Sequence, residues 1–391
     1  MPYANPANFL ADFVTQTLLL REHSTLLYSF HLLFNYRDYR RTTTQVNSWV
    51  RYAIASGVVV LLLSFPEDLF VKSEVDTDED ETWEKYDFHF SNIRNSWVSC
   101  LALDYCRIVW PKSLPCDGFS SLRSLYLCNV SLRAKVLDNV VSSCVNLEFL
   151  SLSCISYLRN FKIHSQTLKE LELELFKIRR YKDAGSLEIY APNLHRISFD
   201  RFSVAEYCSR DLSSLVEANV EFWVKIVKVS ATKSTSVSLV FKNLKFLGLK
   251  VGCTEDKLLE IAAFLELCPV LETLVLDYYV EGDFLFSEYF ESKPPIFHIP
   301  NLKQVKMRNY RGTEMELQLT VIFKQETAQQ KVFWYHRPLQ WLYETVNPEY
   351  TDEAIFLAFT LCTVIPYCFF SNISNVKRLL VSFCEVLQLS A

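Results

Sequence analysis

The sequence predicts an α/β solenoid, in which short parallel strands form a curved sheet and the returns between them are helical or irregular. Two observations predict this fold. A leucine pattern recurs along the chain at intervals of 21 to 31 residues, and half of the 391 residues are apolar while 22% are charged. Such a composition suits a packed protein. A single short unit cannot bury its own apolar side, so neighbouring units must stack.

The leucine pattern is clearest in NLEFLSLSCIS (146–156), where Leu147, Leu150 and Leu152 occupy relative places one, four and six. Known leucine-rich repeats are about 20–29 residues long, close to the intervals seen here. We therefore predict a leucine-rich-repeat solenoid in which places four and six point inward and place one anchors the turn. The eight copies begin at Leu122, Leu147, Leu168, Leu194, Leu215, Leu244, Leu271 and Leu302.

The position eight residues after each first leucine departs from the common repeat, which has Asn or Cys there. We therefore expect a turn packed with bulky side chains rather than held by an asparagine ladder. The returns are predicted to be helical at 134–144 and 254–269, where apolar residues recur at helical spacing. The residues at the departing position are Val130, Ile155, Phe176, Phe202, Trp223, Gly252, Tyr279 and Tyr310.

Three regions follow from these patterns. Residues 1–57 form a helical N-terminal region with amphipathic helices at 8–27 and in the segment that ends at Gly57. Residues 58–311 form the leucine-rich-repeat domain. Its first strand is predicted at 58–65, and another is predicted at 97–106. Residues 312–391 form a divergent C-terminal region, because the repeat register is lost there.

The C-terminal region contains AIFLAFTLCTVIPYCFF (354–370), a run of 17 apolar or small residues. A membrane-spanning helix needs about 20 apolar residues, and this run is shorter and contains Pro366. Membrane insertion is the least favoured interpretation. The alternatives are a buried terminal element and a segment foreign to the ancestral fold, for example one produced by altered splicing.

Composition excludes several classes of function. The net charge of −5 gives no reason to expect nucleic-acid binding, and the 7 glycines form neither GxGxxG nor GxxxxGK[ST]. The 12 cysteines show no CxxC or zinc spacing, and MPYANPANFL lacks the pattern of a secretory signal. We therefore expect reduced thiols, a location in the cytosol or nucleus, and no metal or cofactor.

Two further features of the sequence are candidate sites. The acidic segment 73–85 resembles the start of a calcium loop at Asp76, Asp78 and Asp80, but Glu81 replaces the required glycine and Asp87 the final glutamate. We interpret it as a solvated loop. The 7 histidines are scattered, and no GxSxG or HExxH occurs. We therefore predict no catalytic residues and no enzyme activity.

Several stretches resemble one family. They are FVTQTLLLREHSTLL, VNSWVRYAIASGVVVLLLSFPED, WPKSLPCDGFSSLRSLYLCNVSL, CVNLEFLSLSCIS, APNLHRISFDRF and CPVLETLVLD, which together span roughly Asn8 to Arg311. The chain resembles the plant F-box/leucine-rich-repeat proteins, many of which carry a C-terminal FBD domain. In that family the F-box docks on the Skp adaptor of a cullin ubiquitin ligase, and the repeats choose the protein substrate.

The sequence departs from that family in two places. An F-box of the kind LPxxxLxxILSxLP is expected before Phe9 and is not found, so docking on a Skp adaptor and cullin is expected only if an F-box lies upstream. Only the start of an FBD region is recognisable, in IPNLKQVKMRNYRGTE (299–314). The resemblance implies a protein-interaction module from a ubiquitin ligase. The alternatives are a stand-alone repeat scaffold and a non-functional truncated gene copy.

Candidate binding residues follow from strand geometry. Side chains alternate between the two faces of a strand, so places three, five and seven point away from the leucines. We predict an acidic row at place seven (Glu174, Asp200, Glu221) and a charge-compensated row at place three. The acidic row would attract a basic segment of a partner, or the face is an ordinary solvated one. The candidate protein-binding residues are Glu170, Glu172, Glu174, Arg196, Asp200, Glu217, Glu221, Lys250, Asp277, Lys306 and Arg308.

Overall fold

A computed structural model describes the chain in segments. The described residues are 6–20, 27–33, 39–66, 85–111, 118–155, 158, 160–174, 185–200, 206–210, 212–221, 241–252, 261, 264–279, 299–309, 316, 319, 323 and 331–335. The chain divides into two compact units, Met1–His336 and Arg337–Ala391, of which the second lies outside the described residues. The predictions for 73–84 and for the apolar run 354–370 also lie outside them.

Among the described residues, the dominant element is a twelve-stranded, entirely parallel sheet in the order β1-β2-β4-β6-β7-β9-β11-β13-β14-β15-β16-β17. Its strands are β1 (Ser29–Leu33), β2 (Val60–Ser64), β4 (Cys100–Asp104), β6 (Ser124–Cys128), β7 (Phe149–Ser153), β9 (Glu170–Glu174), β11 (Arg196–Asp200), β13 (Glu217–Glu221), β14 (Phe246–Gly252), β15 (Thr273–Tyr279), β16 (Gln304–Arg308) and β17 (Lys331–Tyr335). The predicted solenoid is therefore confirmed.

Burial follows the predicted leucine places. The place-one residues of the eight copies are at most 2% exposed, and Leu150 and Leu152 at places four and six are 0% exposed. The bulky residues Val130 and Ile155, predicted to fill the turn, are also buried. Each unit therefore contributes side chains to one continuous core.

The returns differ from the prediction. The helix α3 (Ala134–Ser143) is confirmed, and residue 261 and residues 264–266 of the second predicted helix are helical. Other returns are strands. The segments β8 (Phe161–His164), β10 (Ser186–Tyr190) and β12 (Glu206–Arg210) form a second parallel sheet, and β3 (Tyr86–His89) pairs with β5 (Cys106–Val109). Alternating burial in β8 and β10 explains this, because only a period of two buries Phe161 with Ile163 and Leu187 with Ile189.

The N-terminal region combines helix and strand. Helices α1 (Pro6–Leu20) and α2 (Tyr39–Ala55) flank β1, which pairs with β2, so the predicted strand at 58–65 is the second of the sheet and not the first. The predicted amphipathic helix is α2, which buries Val46, Trp49, Val50 and Ala53. Gly57 follows the helix with a φ of 79°, and its N–H donates to the carbonyl oxygen of Ile54. A short 3₁₀ helix spans Phe90–Ile93.

The register between units is held at place two. In each unit two successive backbone N–H groups donate to one place-two carbonyl oxygen of the preceding unit. For example, the N–H groups of Glu148 and Phe149 donate to the carbonyl oxygen of Arg123 at 2.8 and 2.9 Å. One unit later, the N–H groups of Lys169 and Glu170 donate to the carbonyl oxygen of Glu148 at 2.7 and 3.0 Å. The backbone turns directly after several strands. There Asn129, Cys154 and Asn309 at place eight adopt φ values of 51° to 53°. Asparagine tolerates this left-handed conformation better than most residues.

Asparagine side chains also bridge neighbouring units, but from one residue before place one and not from the turn to which the prediction applies. The Nδ2 of Asn146 donates to the carbonyl oxygen of Ser120 at 2.8 Å. The equivalent bonds have the same offset. They run from Asn193 to Gln166 at 2.7 Å, from Asn243 to Ser213 at 2.5 Å, from Asn301 to Pro269 at 2.8 Å and, through a hydroxyl, from Ser121 to Ser96 at 2.6 Å.

We expect Asn146→Ala to lower the free energy of unfolding by about 1 kcal/mol, the usual net contribution of one hydrogen bond. The substitution leaves the carbonyl oxygen of Ser120 to water, because Asn146 lies near the surface. Urea unfolding followed by circular dichroism measures the difference. Asn146→Ser is the control and should retain part of the stability, since Ser121 makes the same bond one unit earlier. Equal losses in both variants would contradict a role for this bond.

Among the described residues, no helix is long and apolar enough to cross a membrane. The main sheet runs from Ser29 to Tyr335, and therefore extends on both sides of the predicted repeat region 58–311. The division of the chain into three regions remains a prediction.

Candidate functional site

The open face is the side of the main sheet that carries places three, five and seven, opposite the leucine core. Its side chains alternate with buried ones, as β9 shows: Leu171 and Leu173 are buried, while Glu170, Glu172 and Glu174 are partly exposed. Strand register aligns equal places of neighbouring units, so the side chains of the open face form rows across the strands.

The place-three row is charge-compensated, as predicted. Arg196 is paired in register with Glu170 on one side and Glu217 on the other. Its guanidinium nitrogens lie 3.5 Å from Glu170 Oε2 and 3.0 Å from Glu217 Oε2. One cation therefore serves two carboxylates, and the group keeps a net negative charge.

The place-seven row also forms, but its carboxylates have polar partners that the sequence did not predict. Glu174 and Asp200 align in register, and Glu221 aligns with Lys250. The Nζ of Lys250 reaches beyond β13 to Asp200 Oδ1 at 2.7 Å. Glu174 accepts a hydrogen bond from Ser153 Oγ at 3.3 Å. Asp200, the middle residue of the predicted acidic row, therefore has a cation partner from β14, a strand that is not adjacent to β11.

The C-terminal part of the open face is basic. Lys306 lies at place five and Arg308 at place seven of β16, and Arg308 aligns with Asp277 of β15. Asp277 accepts a hydrogen bond from Asn309 Nδ2 at 2.6 Å. The predicted residues thus fall into an acidic group on β9, β11 and β13 and a group richer in cations on β14 to β16.

The place-five row contains Glu172 between Ser151 and Ser198. Burial, followed by the nearby charge of Glu170, raises the pKa of Glu172, and hydrogen bonding from Ser151 and the charge of Arg196 only partly oppose this. The ionised form of Glu172 is therefore disfavoured in the folded chain.

Sequence reasoning missed two charge ladders at place two. Glu148 bridges Arg123 and Lys169 at 2.7 and 2.8 Å, and Glu272 bridges Lys245 and Lys303 at 3.6 and 2.7 Å. Hydrogen bonds, chiefly from Lys169 for Glu148 and from Lys303 for Glu272, lower the pKa of both carboxyls. The alternation of charge at place two was a readable signal for these pairs.

Sequence reasoning also missed an aromatic pair on the open face. Tyr126 at place five of β6 and Phe149 at place three of β7 bring their ring centroids within 4.7 Å of each other at an interplanar angle of 34°. Both side chains are partly exposed. The signal was available, because both residues occupy outward places in the repeat.

The described residues offer no group of three or more His, Cys, Asp or Glu side chains that could hold a metal ion. The Nδ1 atom of His195 is hydrogen-bonded to the carbonyl oxygen of Asn193 at 2.7 Å, and Asp200 pairs with Lys250. Burial raises the pKa of Cys100 to about 11 and those of Cys144 and Cys268 to about 12, which disfavours the reactive thiolate.

We expect Glu172→Gln to stabilise the fold slightly at pH 7.5. The folded-state pKa of Glu172 is raised, so its ionised form is destabilising above that pKa, and the penalty disappears as the pH falls through it. The urea midpoint of the variant should therefore exceed that of the wild type at pH 7.5 and converge with it towards pH 4.

Glu148→Gln provides the matched control for the pH series. The pKa of Glu148 is lowered, so its stabilising contribution is present at neutral pH and is lost as the pH falls through the lowered value. The two variants should shift the midpoint in opposite directions at pH 7.5. Shifts of the same sign would show that the charges do not act as described.

The repeat, the parallel register and the shared core define a leucine-rich-repeat solenoid, a class of protein that presents a repetitive surface for interaction. Sequence comparison agrees with the structure. The chain belongs to the leucine-rich-repeat family described as the At1g61320/AtMIF1 LRR domain, whose family profile matches residues 19–329.

One curated relative is the Arabidopsis thaliana protein described as F-box/FBD/LRR-repeat protein At1g13570. It is 24% identical over 338 residues, which cover 79% of this chain and 72% of the relative. The resemblance predicted from the sequence is confirmed. Leucine-rich-repeat domains of this type are generally non-enzymatic protein-interaction modules.

Proposed function

We propose that this chain is the substrate-recognition part of a cullin-type ubiquitin ligase and that it binds a protein substrate through the open face. The observation that carries the proposal is the division of that face into acidic and basic groups held in fixed register. On the acidic side Glu170 and Glu217 flank the guanidinium of Arg196, and Glu172 lies on the same strand as Glu170; Lys306 and Arg308 lie on the basic side.

Support for the ligase context comes from the relative, whose name includes an F-box and an FBD region. An F-box is the element that docks on a Skp adaptor, so adaptor and cullin are partners of this chain if an F-box lies upstream. A location in the cytosol or nucleus fits, because the described cysteines Cys100, Cys106, Cys128, Cys144, Cys154 and Cys268 are free thiols.

The test uses the tagged chain expressed in plant cells, with chemical crosslinking, proteasome inhibition and quantitative mass spectrometry. We compare the wild type with a double charge reversal, Glu170→Lys with Lys306→Glu. The matched control reverses an exposed charge on the return helix α3, Asp138→Lys. We expect the double reversal to lose at least one captured protein that the control retains, because like charges repel across an interface.

Three outcomes are distinguishable. Loss of a captured protein together with recovery of a Skp adaptor supports the ligase role. Loss without any adaptor supports the alternative, a stand-alone repeat scaffold. Capture that is the same in all three chains overturns the assignment of binding to the open face.

A further inference from the structure

The open face changes in character between β7 and β9. On β2, β4, β6 and β7, places three and five carry no charged side chain. The residues there are Val60, Leu62, Cys100, Ala102, Ser124, Tyr126, Phe149 and Ser151. On β9, β11 and β13 the outward places are dominated by carboxylates. Those are Glu170, Glu172, Glu174, Asp200, Glu217 and Glu221, with Arg196 as the cation.

The boundary is a direct contact between strands. Phe149 aligns with Glu170, and Ser151 aligns with Glu172. The Tyr126 ring packs beside Phe149 at 4.7 Å between centroids, so the two rings form a platform at the edge of the acidic group. Since neighbouring strands are about 4.8 Å apart, Glu172 lies roughly 5–10 Å from this platform.

The acidic side of the boundary retains negative charge. The guanidinium of Arg196 pairs with both Glu170 and Glu217, and Lys250 pairs with Asp200. Glu172 has the hydroxyl of Ser151 as a neighbour and the carboxylate of Glu170 close by. A cation placed over Glu172 would relieve the repulsion between the two carboxylates and offset the cost of their partial burial.

We propose that the boundary between β7 and β9 binds a short segment of a partner protein that carries an aromatic or aliphatic residue followed or preceded by a lysine or arginine two to three residues away. The apolar side chain packs on Tyr126 and Phe149, and the cation pairs with Glu172. An extended chain advances about 3.3 Å per residue, so this separation matches the distance from the platform to the carboxylate. The inference rests on the proposed binding through the open face and names the chemistry of the occupant.

Complementarity selects a peptide of this kind. A purely basic segment would leave the aromatic platform exposed to water. A purely apolar segment would bury Glu172 beside Glu170, where the nearby cation, Arg196, already pairs with Glu170 and Glu217. Aromatic and arginine side chains together are the usual anchors of protein interfaces.

The experiment selects a phage-displayed library of random 12-residue peptides on the immobilised full chain. The enriched peptide is then synthesised, and its binding is measured by fluorescence anisotropy. We expect enriched peptides to contain an apolar residue two to three positions from a lysine or arginine. Glu172→Gln and Phe149→Ala should each weaken binding about tenfold, while Asp138→Asn on α3 should leave it within about twofold of the wild type. Cooperative thermal unfolding of each variant establishes that it is folded.

The salt dependence separates the two contacts. Raising the ionic strength from 0.05 to 0.5 M should weaken binding to the wild type more than to Glu172→Gln, because salt screens the ion pair and leaves the apolar contact intact. Phe149→Ala should retain the salt dependence of the wild type. Either variant behaving in the opposite way overturns the assignment of its contact.

The remaining outcomes separate this inference from the proposed function. Selection of no peptide, or of peptides that lack the apolar and basic pair, overturns the inference. Binding that is insensitive to Glu172→Gln and Phe149→Ala but abolished by Lys306→Glu also overturns it, while leaving binding through the open face in place. Binding that survives every substitution on the open face overturns both.

Discussion

Leu150→Ala should lower the free energy of unfolding by about 3 kcal/mol, within the range for leucine truncation in a packed core. Leu150 is 0% exposed and lies at place four of β7, between Leu125 of β6 and Leu171 of β9. Its removal leaves a cavity that two neighbouring units share, and the parallel strands cannot close it without losing register. Equilibrium unfolding in urea measures the loss.

Val145→Ala is the control for this effect. Val145 is 56% exposed and lies in the turn that leads to the same repeat, so its truncation should change stability by less than about 0.5 kcal/mol. Because stability in repeat proteins is carried by interfaces between neighbouring units, Leu150→Ala should also broaden the unfolding transition. Equal effects of the two substitutions would contradict a continuous leucine core.

Asp104→Ala should lower the free energy of unfolding by about 2–4 kcal/mol, because it removes a buried carboxylate that accepts from two partly buried donors. Asp104 is 2% exposed at place seven of β4. Its Oδ2 accepts from Ser64 Oγ at 2.7 Å, and its Oδ1 accepts from Asn129 Nδ2 at 3.0 Å. The carboxylate therefore joins three consecutive units, and thermal unfolding should report the loss.

The same arrangement recurs near the other end of the sheet and provides a matched comparison. Asp277 at place seven of β15 accepts from Asn309 Nδ2 at 2.6 Å, but it is only partly buried. Asp277→Ala should therefore destabilise the chain by less than Asp104→Ala. A larger loss at Asp277 would show that burial does not determine the strength of this bridge.

Much of the fold could be predicted from the sequence, because one physical requirement repeats. Leu147, Leu150 and Leu152 must face one core, and the same places must do so in every copy, so strand direction, register and the open face follow together. The rows through Glu170, Arg196 and Glu217 were predictable for the same reason.

The rest depended on contacts between units that a single unit does not reveal. The bond from Asn146 to Ser120 joins residues 26 positions apart, and the pairing of Lys250 with Asp200 joins strands that are not adjacent. The returns at β8 and β10 are short, and their apolar residues alternate. Such short alternating segments are recognised as strands only once the pairing of β8 with β10 is known. The strand β1 contains only five residues, and its pairing with β2 rather than its composition defines it.

The carbonyl oxygens at place two separate the length of a return from the alignment of the strands. Because each oxygen receives two N–H groups from the next unit, a new unit begins at the same level whether 21 or 31 residues intervene. The strands of the open face therefore stay aligned when a return gains or loses residues, and a substitution at one outward place changes the surface without shifting the neighbouring strands. A surface of this kind can acquire a new ligand by single steps, without passing through an unfolded ancestor.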